Sequence, residues 1–128
     1  MTTILIVEDD PINARIFSKA IAKYGNFNVQ NTENVNEVME MVASKRANLV
    51  LMDVTLTNSQ YEGKVVNGIE MTRMIKANSP AFPIILVTAC AMQGDRERFL
   101  QASGADEYIA KPVIDYQDFI HRIKSLLL

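Results

Sequence analysis

Three carboxylates stand where a sheet would gather them: Glu8 and Asp9 close the apolar run 3–7, and Asp53 closes the run 48–52. Carboxylates about 4 Å apart repel by about 4 kcal/mol at an effective dielectric near 20. That is a large share of a domain stability of about 5–15 kcal/mol. A cluster of this kind needs relief by protonation, by a lysine or arginine, or by a hard divalent cation. Carboxylates beside open positions for water suit magnesium, so a cation-binding acidic pocket is the first chemistry indicated. Capping is the competing assignment, and it claims Asp10: Asp10-Pro11 has the residue types of a helix N-cap and first helical position.

The elements that must position these acids follow from hydrophobic period. Short apolar, β-branched-rich runs read as strands buried on both faces, and they alternate with segments of helical spacing. Strands are predicted at about 3–7, 27–31, 49–53, 83–88 and 107–110, the second polar enough for an edge. The first helix starts at Pro11, carries Ile12, Ile16, Ala20 and Tyr24 on one face and stops at Gly25. The second, 34–45, presents Val35, Val38, Met39 and Val42; the third begins near Asn67 with Met71, Met74 and Ile75. A fourth covers 95–102, and the last turns Tyr116, Phe119, Ile120, Ile123 and Leu127 inward. This alternation predicts an α/β fold, a doubly wound five-stranded parallel sheet with helices on both faces. Ligands of such sheets bind beyond the carboxyl ends of the strands. Glu8, Asp9, Asp53, Thr88 and Lys111 all fall there, bringing anions, a hydroxyl and a cation to one edge.

Composition excludes several classes. With 128 residues, 48% hydrophobic and 22% charged, the chain predicts one domain over 1–128 with no output domain. The apolar runs fall well short of the ~20 residues of a membrane span, and the start lacks the basic-then-apolar pattern of a leader. A cytoplasmic protein without membrane insertion is expected. One cysteine, Cys90, supports neither a disulfide framework nor a multi-cysteine metal site, and His121 sits alone in a helical pattern. A net charge of −2 with scattered Lys and Arg gives no footprint for direct nucleic-acid binding.

Four segments, 4–10, 49–53, 87–89 and 104–112, together resemble the receiver domain of two-component response regulators, in this order and over essentially the whole chain. The resemblance implies a flavodoxin-like strand order 2-1-3-4-5. It implies that Asp53 accepts a phosphoryl group from a histidine kinase, a phosphotransfer protein or a small acyl phosphate. Glu8, Asp9, Asp53 and the backbone carbonyl of Thr55 would hold Mg²⁺. Lys111 would pair with Asp53 and then with the phosphoryl oxygens, and Thr88 would donate its hydroxyl to them. Tyr108 would turn inward with Thr88 as a switch for a downstream protein target, and Lys111-Pro112 would be cis. The kinase would dock around Ile12, Arg15, Pro112 and Val113.

The chain also departs from the family. Thr57 stands where a proline is usual, and Gly68 follows Asp53 by fifteen residues where about eight are usual, so about seven are inserted within 58–66. By the resemblance, Thr55 and Cys90 stand where family residues influence attack by water on the aspartyl phosphate, and neither is an evident general base, so slow to moderate autodephosphorylation is expected. A receiver-like module whose phosphorylation is unused is the alternative of a different class. A magnesium-dependent phosphatase normally has a second aspartate where Thr55 stands, and a nucleotide binder would need a glycine-rich loop that no strand is followed by.

Overall fold

The computed structural model describes residues 2–56, 59–89 and 92–127. Among the described residues, seven strands and five helices follow in the order β1 (Thr3–Val7), α1 (Pro11–Gly25), β2 (Asn28–Thr32), α2 (Val35–Ala43), β3 (Leu49–Asp53), β4 (Gln60–Tyr61), β5 (Lys64–Val65), α3 (Gly68–Asn78), β6 (Ile84–Thr88), α4 (Asp95–Ser103), β7 (Glu107–Ala110) and α5 (Tyr116–Leu126). The main sheet is parallel, in the order β2-β1-β3-β6-β7, which is the predicted order with the small β4–β5 hairpin set apart. Strands β1, β3 and β6 are buried along their whole length, as their uninterrupted apolar composition requires. Polar β2 takes the edge, with Asn28, Gln30 and Asn31 exposed.

Strand pleating sends alternate residues to opposite faces. Leu5, Val7, Val50, Met52, Ile84 and Leu86 pack with α2 and α3 through Val38, Val42, Met71 and Ile75. Ile4, Ile6, Leu49, Leu51, Ile85 and Val87 pack with α1 and α5 through Phe17, Ile21, Phe119 and Ile123. Asp53 continues the Leu49–Leu51 row, on the α1/α5 side, whereas Thr88 continues the Ile84–Leu86 row on the other.

The face of α1 differs from expectation. Its buried residues are Ala14, Phe17, Ala20 and Ile21, while Ile12, Ile16 and Tyr24 are exposed. Steps of four residues advance 400° and so drift by about 40° each, whereas mixed steps of three and four keep Phe17 and Ile21 over the sheet. Helix α1 ends at Gly25 as expected, and Asn26, at φ 56°, forms the left-handed cap after it. Asp10 caps its start, accepting from the Ile12 N–H at 2.9 Å, with Pro11 behind it. In α2, Met41 rather than Met39 is fully buried, and in α5 the buried set is Phe119, Ile120 and Ile123, with Tyr116 and Leu127 half-buried.

Residues 59–66 of the inserted segment fold into a hairpin. Glu62 and Gly63, at φ 53° and 81°, make the hairpin turn between β4 and β5, since a two-residue turn of this hand needs positive φ at both positions. Its base is closed by the Val66 N–H on the Ser59 carbonyl at 2.9 Å, and the buried Ser59 hydroxyl donates to the Glu33 carbonyl at 2.6 Å.

One buried group in α3 is unsatisfied: Thr72 Oγ1 has no hydrogen-bond partner among the described residues. An unmade hydrogen bond in the interior is costly, and valine keeps the same shape and β-branching. Thr72→Val should therefore raise stability by about 1 kcal/mol, read as a higher urea midpoint at unchanged slope.

Candidate functional site

The expected edge cluster forms at the carboxyl ends of β1, β3, β6 and β7. Glu8 follows β1, Asp53 ends β3, Thr88 ends β6 and Lys111 follows β7. Neighbouring registers bring them together: Val7 lies beside Met52, Asp53 beside Val87, and Thr88 beside Ala110. The Lys111 N–H donates to the Thr88 carbonyl at 2.8 Å, fixing where the lysine leaves the sheet, and Lys111-Pro112 is cis.

Glu8 is 4% exposed and Asp53 6%, Thr88 is fully buried, and Asp9 is half-buried. One carboxylate oxygen from each of Glu8, Asp9 and Asp53 lies within 4.8 Å of the others. The Lys111 amine donates to Glu8 Oε1 at 2.7 Å and stands 3.5 Å from Asp53 Oδ1. The lysine thus bridges both acids and is closer to Glu8, a partner not foreseen from the sequence. The glutamate's longer side chain gives it the reach.

Burial raises the Asp53 carboxyl from 3.8 to about 7, reinforced by its hydrogen bond to Glu8 and by the Glu8 charge. The Lys111 amine and the Thr55 N–H act the other way, the latter donating to Asp53 Oδ1 at 3.2 Å. Three oxygen donors of one sign, converging and desolvated, form a set suited to a hard cation.

The remaining expected residues lie around this edge. Thr55 is exposed and touches Asp53 through its N–H. Tyr108 is buried, with its ring 6.1 Å from that of Phe99 on α4. Ile12 is 70% exposed, Arg15 and Pro112 are exposed, and Val113 is half-buried against the α1/α5 core. Thr57, Asn58 and Cys90 lie outside the described residues. Sequence reasoning gave Gly68 no part at the site, yet it packs on the Asp53 backbone. The available signal was a glycine directly after an N-cap asparagine, where a better helix former is usual.

A parallel sheet carrying this acid and lysine set on its carboxyl edge defines a receiver-type signalling domain. The family model of the response regulator receiver domain matches residues 4–124, and the chain belongs to that family. It is similar to the polar-differentiation response regulator DivK of Brucella anthropi, with 36% identity over 127 residues covering 98% of this chain and 95% of that protein. DivK of Brucella ovis is 35% identical over the same shares. Among solved structures, a CheY-like receiver domain protein from Methanospirillum hungatei is 28% identical with a TM-score of 0.75, covering 99% of this chain and 94% of the other. The BeF3-activated receiver domain of RstA from Klebsiella pneumoniae shares the fold with a TM-score of 0.80 at 23% identity, covering 98% of each. The family is a signalling one rather than a family of conventional enzymes. Among the described residues, no helix is long and apolar enough to cross a membrane.

Proposed function

We propose that this receiver domain is a phosphoacceptor switch with Asp53 as the acceptor. The observation that carries the reading is the convergence of Glu8, Asp9 and Asp53 within 4.8 Å, with the Lys111 amine bridging two of them. An Asp53 carboxylate oxygen attacks the phosphorus of a phosphohistidine or an acyl phosphate. A P–O bond to Asp53 forms, and the P–N or P–O bond to the donor breaks, its electron pair leaving on imidazole or acyl carboxylate. Attack needs the ionised carboxylate, which a carboxyl raised to about 7 supplies only in part until positive charge is added. Glu8, Asp9, Asp53 and the Thr55 carbonyl would hold Mg²⁺, which supplies neutralisation of the phosphoryl oxygens. Lys111 follows the charge from Glu8 to the new phosphoryl group, and the Thr88 hydroxyl donates to it. Tyr108 then repacks beside α4 and presents the altered face to a target protein. Thr55 offers no general base to an attacking water, so the aspartyl phosphate outlives the scale of seconds.

The donor is a histidine kinase or phosphotransfer protein, and a cytoplasmic setting goes with such a donor. Residues 1–128 act as one receiver unit that works through protein contacts. Docking uses the exposed Ile12 and Arg15 on α1 with the Pro112-Val113 turn. Alanine at both Ile12 and Arg15 should slow transfer from the kinase at least tenfold, about 1.4 kcal/mol of lost contact. Labelling by acetyl phosphate, followed in parallel, should stay unchanged.

The reading is tested by intact mass after incubation with acetyl phosphate and Mg²⁺. One phosphoryl group should appear, and it should be absent in Asp53→Ala and in the presence of a chelator. No mass gain in the unsubstituted chain would leave a module that works without phosphorylation.

A further inference from the structure

We infer that Gly68 is a positioning residue for Asp53, and that it acts independently of the inserted hairpin; the inference rests on Asp53 being the phosphoacceptor. A Cβ built on Gly68 would lie 2.0 Å from the Asp53 carbonyl oxygen, 2.8 Å from the carbonyl carbon and 3.0 Å from Met52 Cγ. Two of these neighbours are backbone atoms that no rotamer change can remove. The glycine is required by space alone: its φ lies outside the left-handed range that favours glycine for conformational reasons.

Neither neighbour of this contact is free to retreat except the acceptor end of β3. On the helix side, Asn67 and Glu70 form a reciprocal capping box, at 2.9 Å and 3.3 Å, and Met71 and Ile75 anchor the next turns in the core. On the sheet side, Met52 is held beside Val7 and Leu86, so its position is fixed by two strands. Asp53 is the last residue of β3 and has a paired strand on one side only, at Val87. Beyond it, the Gly68 N–H donates to the Val54 carbonyl at 3.0 Å, and the Val54 N–H donates to the Val87 carbonyl at 3.0 Å. A side chain at 68 therefore displaces Asp53 and the start of its loop, and with them the carboxylate that faces Glu8 and Lys111.

The hairpin does not provide this contact. Its base is closed by the Ser59 carbonyl and Val66 N–H, the same hydrogen bond that closes a four-residue β-turn. Replacing Gln60–Val65 by Asn-Gly, the dipeptide suited to a two-residue hairpin turn, would keep that bond and return the chain to Gly68 at the same place.

The test compares rates of phosphoryl incorporation from acetyl phosphate with saturating Mg²⁺. The unsubstituted chain and Asp53→Asn define the signal. Gly68→Ala should label about a hundredfold more slowly, the size of effect that an ångström of misplacement produces. Ile123→Ala opens a cavity under α5, on the opposite face of the sheet from α3, so it should lose at least as much stability yet label at the unsubstituted rate, separating position from stability. The Asn-Gly replacement should also label at the unsubstituted rate. If Gly68→Ala does not fold, the decision passes to Asn67→Ala, which removes an exposed cap and should label several-fold more slowly. Normal rates in the folded Gly68→Ala protein, or in Asn67→Ala when it decides, would overturn the inference. So would slow labelling of Ile123→Ala or of the Asn-Gly chain. Absence of label in the unsubstituted chain would instead overturn the acceptor assignment, and this inference with it.

Discussion

Asp53→Asn is expected to stabilise the cation-free protein at pH 8 by about 2 kcal/mol, seen as a rise of about 6–8 °C in Tm. Asparagine retains the shape and hydrogen-bonding capacity of the acid and removes the charge that burial and Glu8 disfavour. The pH dependence fixes the sign. With a native carboxyl at about 7 against 3.8, the native state keeps a proton that the unfolded chain releases between those values. The stability associated with that proton is fully present below 3.8 and lost as the pH rises through about 7. The advantage of Asp53→Asn should therefore be near zero at pH 3.5, grow through pH 5–7 and level off above pH 8. The shift sets a ceiling of about 4 kcal/mol, and water reaching the open edge leaves about half of it. Magnesium, by neutralising the wild-type cluster, should narrow the difference. Thermal melts across pH, with and without a chelator, check each part. A substitution that destabilised equally at every pH would refute the charge argument.

Lys111→Met should do the opposite. The amine at 2.7 Å from Glu8 and 3.5 Å from Asp53 is the cation that this acid pair holds among the described residues. Removing one partner of a buried pair leaves the other charges uncompensated, at a cost of about 3 kcal/mol. The loss should be greatest at pH 8 and smaller at pH 5, where Asp53 carries its proton. Labelling by acetyl phosphate should fall about a hundredfold, as it does when a preorganised charge is withdrawn from a transition state. In the double variant with Asp53→Asn, much of the stability loss should return, because one of the stranded charges is gone. Denaturant titrations of the two single variants and the double give that coupling directly. Additive losses would mean that Lys111 and Asp53 do not interact energetically.

What the sequence made legible was whatever a single physical rule controls. Runs such as Ile4–Val7 and Ile84–Val87 have one stable placement, a strand covered on both faces, and polar Asn28–Thr32 has another, the edge. Acids and a lysine placed just past such runs must converge, so Glu8, Asp53 and Lys111 could be placed before any geometry was known. The α1 stripe was misread because a regular spacing of four looks like a face while drifting off it, and Phe17 outweighs Ile16 over the sheet. The hairpin was not legible: Gln60–Tyr61 and Lys64–Val65 are too short to show a period, and its turn uses Glu62-Gly63 in place of the asparagine that usually signals it. The Glu8–Lys111 pairing was not legible, because the resemblance pairs the lysine with Asp53 and only side-chain geometry brings the glutamate closer to the amine. Gly68 was missed for a related reason. A close approach of backbone to backbone leaves a single trace, the glycine that opens a helix directly after its N-cap asparagine.

The alternation along β3 and β6 carries a consequence for how this domain can be remodelled. Asp53 belongs to the row that meets α1 and α5, whereas Thr88 and Tyr108 belong to the side of α2, α3 and α4. The sheet is thus a partition one strand thick, with the Asp53 carboxylate on one side and the Thr88 hydroxyl and Tyr108 ring on the other. Core residues behind the two compartments are different side chains, so each can be recut while the other keeps its packing. Changes around Phe99 and Tyr108 can therefore recut one face of the domain while the α1/α5 side that carries Asp53 keeps its core.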